Sequence, residues 1–160
     1  MKTHRRSLVA SVVIAGFVAL PLALSTGVAS VSASEKNRRN GRLHATKECS
    51  QYTGAAGSFC TITSSSLPEI TVGTRVLYDQ AAGVPSGMLD SNIVLDAGDG
   101  NRAVGRCTLD FATGLGLCTF SDGTGRFTGF HARVDVSRLG GPDWEWDGTY
   151  RFRPETDRDR

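Results

Sequence analysis

The sequence predicts an all-β fold, an antiparallel β-barrel of about seven to eight strands behind an N-terminal export signal. Two observations carry the fold class. From about His44 to Arg153, short runs of alternating apolar and polar residues recur, separated by glycine or Asp-Gly turns. Over the same span no window keeps apolar residues at i, i+3, i+4 and i+7 for more than a turn or two, which argues against a long helix. A third observation bears on compartment: four cysteines stand in two equally spaced pairs, the usual staples of a small exported domain.

The chain opens with the basic stretch MKTHRR, and Leu8 to Leu24 then runs for 17 residues without a charge. Small residues follow, with Val31-Ser32-Ala33 placing a small apolar residue at −3 and Ala at −1 of a cleavage site. This is the layout of a secretory signal peptide over residues 1–33. An uncleaved anchor is the alternative, but 17 residues is the bottom of the spanning range, and Pro21 sits near the end of the run. Cleavage leaves 127 of the 160 residues, enough for one domain with one core. It also removes Lys2, Arg5 and Arg6, so 18 basic residues become 15 against 16 acidic ones, a net charge of −1. The positive balance belongs to the targeting segment, and no nucleic-acid partner is indicated. The mature protein is expected to be secreted or held in the cell envelope, with no membrane contact after cleavage.

Residues 34–43, polar and without periodicity, read as a flexible leader, with His44 at its edge expected to be unstructured. The barrel domain is expected over 44–153 and a charged tail over 154–160. Seven alternating runs fill the domain: Phe59 to Ser64, Arg75 to Gln80, Ser91 to Asp96, Ala103 to Phe111, Leu115 to Phe120, Arg126 to Ser137 and Trp144 to Phe152. A further candidate strand lies around Cys49 to Tyr52. In the last run Trp144, Trp146, Tyr150 and Phe152 share one face with Gly148, while Glu145, Asp147, Thr149 and Arg151 share the other. A one-residue slip would expose all four rings, so the register is strongly specified.

Cys49 and Cys60, and Cys107 and Cys118, are each separated by ten residues, and no C-x2-C pair suggests zinc. Four cysteines allow three connectivities. If Ala112-Thr113 is a two-residue hairpin loop, paired positions sum to 225 and Cys107 faces Cys118. A three-residue loop with Gly114 in the left-handed region would move Cys118 off that face. The pairs Cys107–Cys118 and Cys49–Cys60 are the expectation, each stabilising the fold by roughly 3 kcal/mol in the chain-entropy model.

The stretch SDGTGRFTGFHARVDVS, from Ser121 to Ser137, comes close to a dinucleotide-binding glycine pattern. A phosphate loop needs a helix after it, and here period-two alternation follows instead. Asp122-Gly123 suits a tight turn, and glycine inside the strand suits a bulge where a barrel bends. The run FSDGTGRFTGFHARVDV, followed by WEWDGTYRF, resembles the GTG-x-F-x-G-A strand signature of the allene oxide cyclase and dirigent barrel superfamily. It especially resembles bacterial secreted proteins with an allene-oxide-cyclase-barrel-like domain. The resemblance covers roughly Val72 to Phe152, including the strand, hairpin and strand order of LDSNIVLDAGDGNRAVGRCTLDFATGLGLCTF. The link from the Cys118 strand to the GTG turn is shorter here than in many relatives, which leaves the strand count open.

The resemblance implies a barrel of about eight strands with an interior cavity for a hydrophobic small molecule, often assembled as a homotrimer. It implies guided cyclisation or coupling, an isomerase-like activity if the protein is an enzyme, and neither metal nor organic cofactor. No catalytic residue carries across. Fold alone does not carry the activity, so the competing expectation is a filled barrel that acts as an interaction protein through its outer surface. Candidate ligand-binding residues are Trp144, Trp146 and Tyr150, although such residues more often simply fill a small barrel as core. His131, Arg133 and Asp135 share one strand face and could handle protons, but their neighbours Phe130, Ala132 and Val134 make the better lining. Glu145 and Asp147 fit a solvated face. Tyr78 and Asp79 point to opposite sides of one strand, and Ser64 to Ser66 lack a nucleophile-elbow context.

Overall fold

Eight strands follow one another around a closed antiparallel barrel in the computed structural model, which describes residues 40–83 and 87–153. They are β1 (Asn40–Glu48), β2 (Phe59–Ser65), β3 (Arg75–Tyr78), β4 (Met88–Asp96), β5 (Arg102–Asp110), β6 (Leu115–Thr124), β7 (Phe130–Gly140) and β8 (Asp143–Phe152). Each strand pairs with the next, and β8 closes on β1. Closure leaves no sheet edge to protect. The expected signal peptide, most of the leader and the charged tail lie outside the described residues.

Several strand bounds differ from the sequence expectation, β7 among them, which begins at Phe130 and not at Arg126 because residues 125–127 form a 3-10 turn, and two differences matter most. The strand that completes the barrel is β1, which begins at Asn40 inside the segment expected as leader, whereas Cys49 to Tyr52 turns away from the sheet. His44 is accordingly mid-strand, paired with Asp147. The outward positions Arg42, His44 and Thr46 are polar, and Leu43 and Ala45 are the apolar signal on the inner face. Nine paired positions with β8 supply the order that so short a pattern does not announce. The second difference lies at Asp122-Gly123, which continues β6 opposite Val104 and Ala103 instead of turning. The chain turns one step later, through a single 3-10 turn at Gly125–Phe127 flanked by Gly125 and Gly129, both with positive φ.

The cysteine register holds through a different loop. Cys107 faces Cys118, and pairing runs on to Asp110 opposite Leu115. Four residues, Phe111 to Gly114, therefore make the loop, with Gly114 at φ 69° and its N–H donating to Asp110 O at 2.8 Å. Both expected disulfides are present, joining Cys49 to Cys60 and Cys107 to Cys118. Two such bonds in so small a barrel suit an oxidising, extracellular environment.

Side chains alternate across each strand, so one set fills the barrel. At the end where β1 begins, aromatics occupy the interior. Phe127, on the 3-10 turn, lies 5.5 Å from Phe130, which contacts Phe120 at 5.7 Å and Phe152 at 5.2 Å. Phe120 in turn stands edge-on to Trp146 at 5.5 Å. Gly148 lets β7 and β8 pass closely there, since a Cβ on it would fall 2.0 Å from Arg133 O. On the outer face, three exposed ion pairs, Arg42–Asp147, Arg102–Asp96 and Arg106–Asp90, are worth at most about 1 kcal/mol each. The outer face also carries an apolar row, in which Phe59, Leu77, Val94 and Val104 stand directly opposite one another across β2 to β5.

Candidate functional site

The far end of the barrel interior is different in kind. Leu43, Ala45 and Lys47 fall on the inner face of β1 by simple alternation, so the strand delivers an amine where an aliphatic side chain would be expected. Lys47 is 3 % exposed. It pairs in register with Trp144 of β8 and Ile62 of β2, beside an irregularity in the β1–β2 ladder between Thr46 and Lys47. Its Nζ donates to Tyr78 Oη at 2.8 Å. The same nitrogen lies 4.7 Å from the Trp146 ring centroid and 5.5 Å from that of Tyr78.

Among the described residues no carboxylate pairs with Lys47. Burial lowers its amine to about 7, because the charged form loses its hydration. The two ring faces act in the opposite sense, since they favour a cation. Burial also pushes the Tyr78 phenol well above its ordinary range, with Tyr52 adding to the effect, and it raises Tyr52 as well. Burial therefore favours the neutral form of both the phenol and the amine hydrogen-bonded to it.

A small, partly open cavity of about 30 Å³ adjoins this pair, walled by Tyr52, Leu89, Leu109, Phe111, Trp144 and the Cys49–Cys60 disulfide. That is room for one or two waters or a ligand of a few heavy atoms. Tyr52 stands edge-on to Tyr78 at 5.0 Å and stacks on Phe111 at 6.2 Å. Two buried polar atoms have no hydrogen-bond partner among the described residues, Tyr52 Oη and Trp146 Nε1. Tyr78 Oη lies 3.8 Å from Cys60 Sγ, which as a disulfide sulfur can only accept a hydrogen bond.

The residues singled out from sequence divide between the two ends and the outside. Trp144 and Trp146 are buried beside Lys47. Tyr150 is six residues further along β8 than Trp144, about 20 Å at a strand's rise, and lies against Gly41 at 3.2 Å from a Cβ built there. His131, Arg133 and Asp135 are on the outer face, as their alternation with Phe130, Ala132 and Val134 requires. His131 and Arg133 line an open groove of about 360 Å³ with Tyr150, Asn40 and Arg151, whereas Asp135 faces Asp147 outside it. Glu145 accepts a hydrogen bond from Ser137 and Asp147 pairs with Arg42, so both carboxylates have surface partners.

Of Lys47 and Tyr78, the chemically distinctive pair, Lys47 is not among the residues singled out from sequence, and Tyr78 is weighed there only with Asp79 and set aside. The usable signal is the order Leu43-x-Ala45-x-Lys47-x-Cys49, in which a lysine occupies an inward slot just before a cysteine. No family model, no curated protein and no solved structure matches the chain.

Proposed function

We propose that this protein is an exported, disulfide-stapled barrel that binds a small, largely apolar molecule at its Lys47 end. The observation that carries the reading is a buried amine with no carboxylate partner among the described residues, set beside a small, mostly apolar cavity. An apolar residue would fill the same place at lower cost, since an unpaired charge in a protein interior is expensive. A ligand with one polar acceptor gives the amine the partner that the barrel withholds. The ligand-binding expectation from the allene oxide cyclase and dirigent resemblance is kept, and its place moves to the lysine end. Guided cyclisation of a large substrate needs a chamber of roughly 300 Å³ or more, so the ligand argued for here is smaller. Export is supported by the basic start, the uncharged run from Leu8 to Leu24 and the Val31-Ser32-Ala33 site. A mature N-terminus at Ser34 is the expected result of sequencing the exported protein, and a start at Met1 would reject it.

The competing reading, a filled barrel acting through its outside, is supported by the aromatic plug and by the apolar row from Phe59 to Val104. A subunit partner, including the trimer that the resemblance implies, would cover such a row. One titration separates the two. Propan-1-ol added to the mature protein is expected to shift the indole N–H signals of Trp144 and Trp146 saturably, and a Leu109→Phe variant, which fills the cavity, is expected to abolish the response. Linear or absent shifts would reject the interior site and leave the outer face as the working surface.

A further inference from the structure

We propose that Lys47 captures small carbonyl compounds as an imine inside the barrel, with Tyr78 moving the protons. The inference deepens the binding reading above and rests on it. Several features converge on this one nitrogen. The chain has three lysines, Lys2, Lys36 and Lys47, and Lys47 alone lies among the described residues. The two cysteines at the cavity are joined to each other, and no carboxylate or histidine lines it. The amine is therefore the nucleophile of the site. Its neighbour Tyr78, at 2.8 Å, is the proton carrier within reach. Of the other walls, Leu89, Leu109, Phe111 and Trp144 are apolar, and Tyr52 adds a phenol.

The step balances without an oxidant or a metal. The Nζ lone pair adds to the carbonyl carbon while the carbonyl oxygen takes the Tyr78 proton and the nitrogen returns one to Tyr78 Oη in the same step, so no free phenolate forms. The carbinolamine that results then loses its hydroxyl, which leaves as water with the phenolic proton. The nitrogen's last transferable proton restores Tyr78. The net change is amine plus aldehyde to imine plus water. Burial helps by holding more of the reactant as the neutral amine, and the imine that forms is neutral as well, so no charge is created in the interior. A desolvated lysine in an apolar pocket is also the environment in which an amine is nucleophilic at neutral pH. The cavity limits the partner to an aldehyde or ketone of a few heavy atoms.

The test uses the full mature chain with its disulfides intact. Propanal and sodium cyanoborohydride are added at pH 7, and peptide mapping by mass spectrometry follows the propyl adduct at Lys47 against Lys36 and the N-terminal amine. Lys47 is expected to be labelled roughly tenfold or more faster than Lys36, because an ordinary lysine is almost wholly protonated at this pH. A branched aromatic aldehyde is expected to lose the preference, and Tyr78→Phe to slow labelling at Lys47 while leaving Lys36 unchanged. Equal or slower labelling of Lys47 overturns the proposal. Propan-1-ol keeps the two readings apart: a saturable indole response without selective labelling rejects the imine and leaves binding in place. Failure of both rejects the site itself.

Discussion

Replacing Lys47 by methionine is expected to stabilise the barrel by roughly 2–4 kcal/mol at neutral pH, the reverse of most core substitutions. The unfolded amine titrates at its ordinary 10.5 and the folded one at about 7. That gap corresponds to about 5 kcal/mol against the charged form in the folded state. Methionine is unbranched and of similar length, so it removes the cost while filling most of the space. Against this stands the hydrogen bond to Tyr78 Oη, whose loss costs about 1–3 kcal/mol. The net remains favourable.

The same linkage fixes the sign of the pH dependence. Between about 7 and 10.5 the unfolded chain holds a proton on Lys47 that the folded chain lacks, so wild-type stability rises with pH across that window. Below about 7 both states are protonated and the full penalty applies. Lys47→Met is expected to flatten the rise. The titratable groups facing Lys47 are Tyr78 and Tyr52, whose phenols are raised in the fold, and they oppose the trend only above about pH 10. Urea denaturation at pH 6, 7.5 and 9 reads the effect. A variant no more stable than wild type at pH 6, or one that keeps the wild-type rise, would show that the amine is paired and charged within the fold.

Most of the barrel is legible from the sequence because a strand has only two faces. Trp144, Trp146, Tyr150 and Phe152 cannot be exposed together, so β8 reads correctly, and so does β7 from Phe130 to Val136. The cysteine register also survives an incorrect loop. Moving the turn from two residues to four leaves the sum of paired positions at 225, and that sum alone sets Cys107 against Cys118. Composition misleads in two places. Asp-Gly at 122 and 123 is a good turn dipeptide, yet pairing with β5 continues through it, past an irregularity between Val104 and Gly105. Polar Asn40, Gly41 and Arg42 look like leader, yet β8 needs a partner and takes them. The second error conceals the site. Once β1 is overlooked, Lys47 has no inward face to occupy, and Tyr78 looks like a lone phenol on a short strand. What unites them is closure of the barrel, a contact between residues 31 positions apart that no local window contains.

Truncating Phe127 to alanine is expected to be among the most damaging single changes in the barrel, costing about 3–5 kcal/mol. Its ring is fully buried although it sits on one 3-10 turn between two strands. Through Phe130 it joins the aromatic chain that continues to Phe120, Phe152 and Trp146. The upper part of the range applies because the surroundings have little freedom to collapse. Gly123 of β6 already runs so close that a Cβ there would fall 2.5 Å from the Phe127 Cβ, and Gly125 and Gly129 pin both ends of the turn at positive φ. A void left in place costs more than one that neighbours can fill. Leucine at 127, which keeps much of the volume, is expected to recover most of the loss. Denaturation midpoints of the two variants measure this, and a cost under about 1 kcal/mol for alanine would mean that the turn does not plug the barrel. The same pair separates the ends of the molecule. Because the phenylalanine plug and Lys47 occupy opposite ends of β1 and β8, Phe127→Leu is expected to leave the propan-1-ol response at Trp144 unchanged. A lost response there would mean that the two ends are energetically coupled through Trp146, the ring that touches both Phe120 and Lys47.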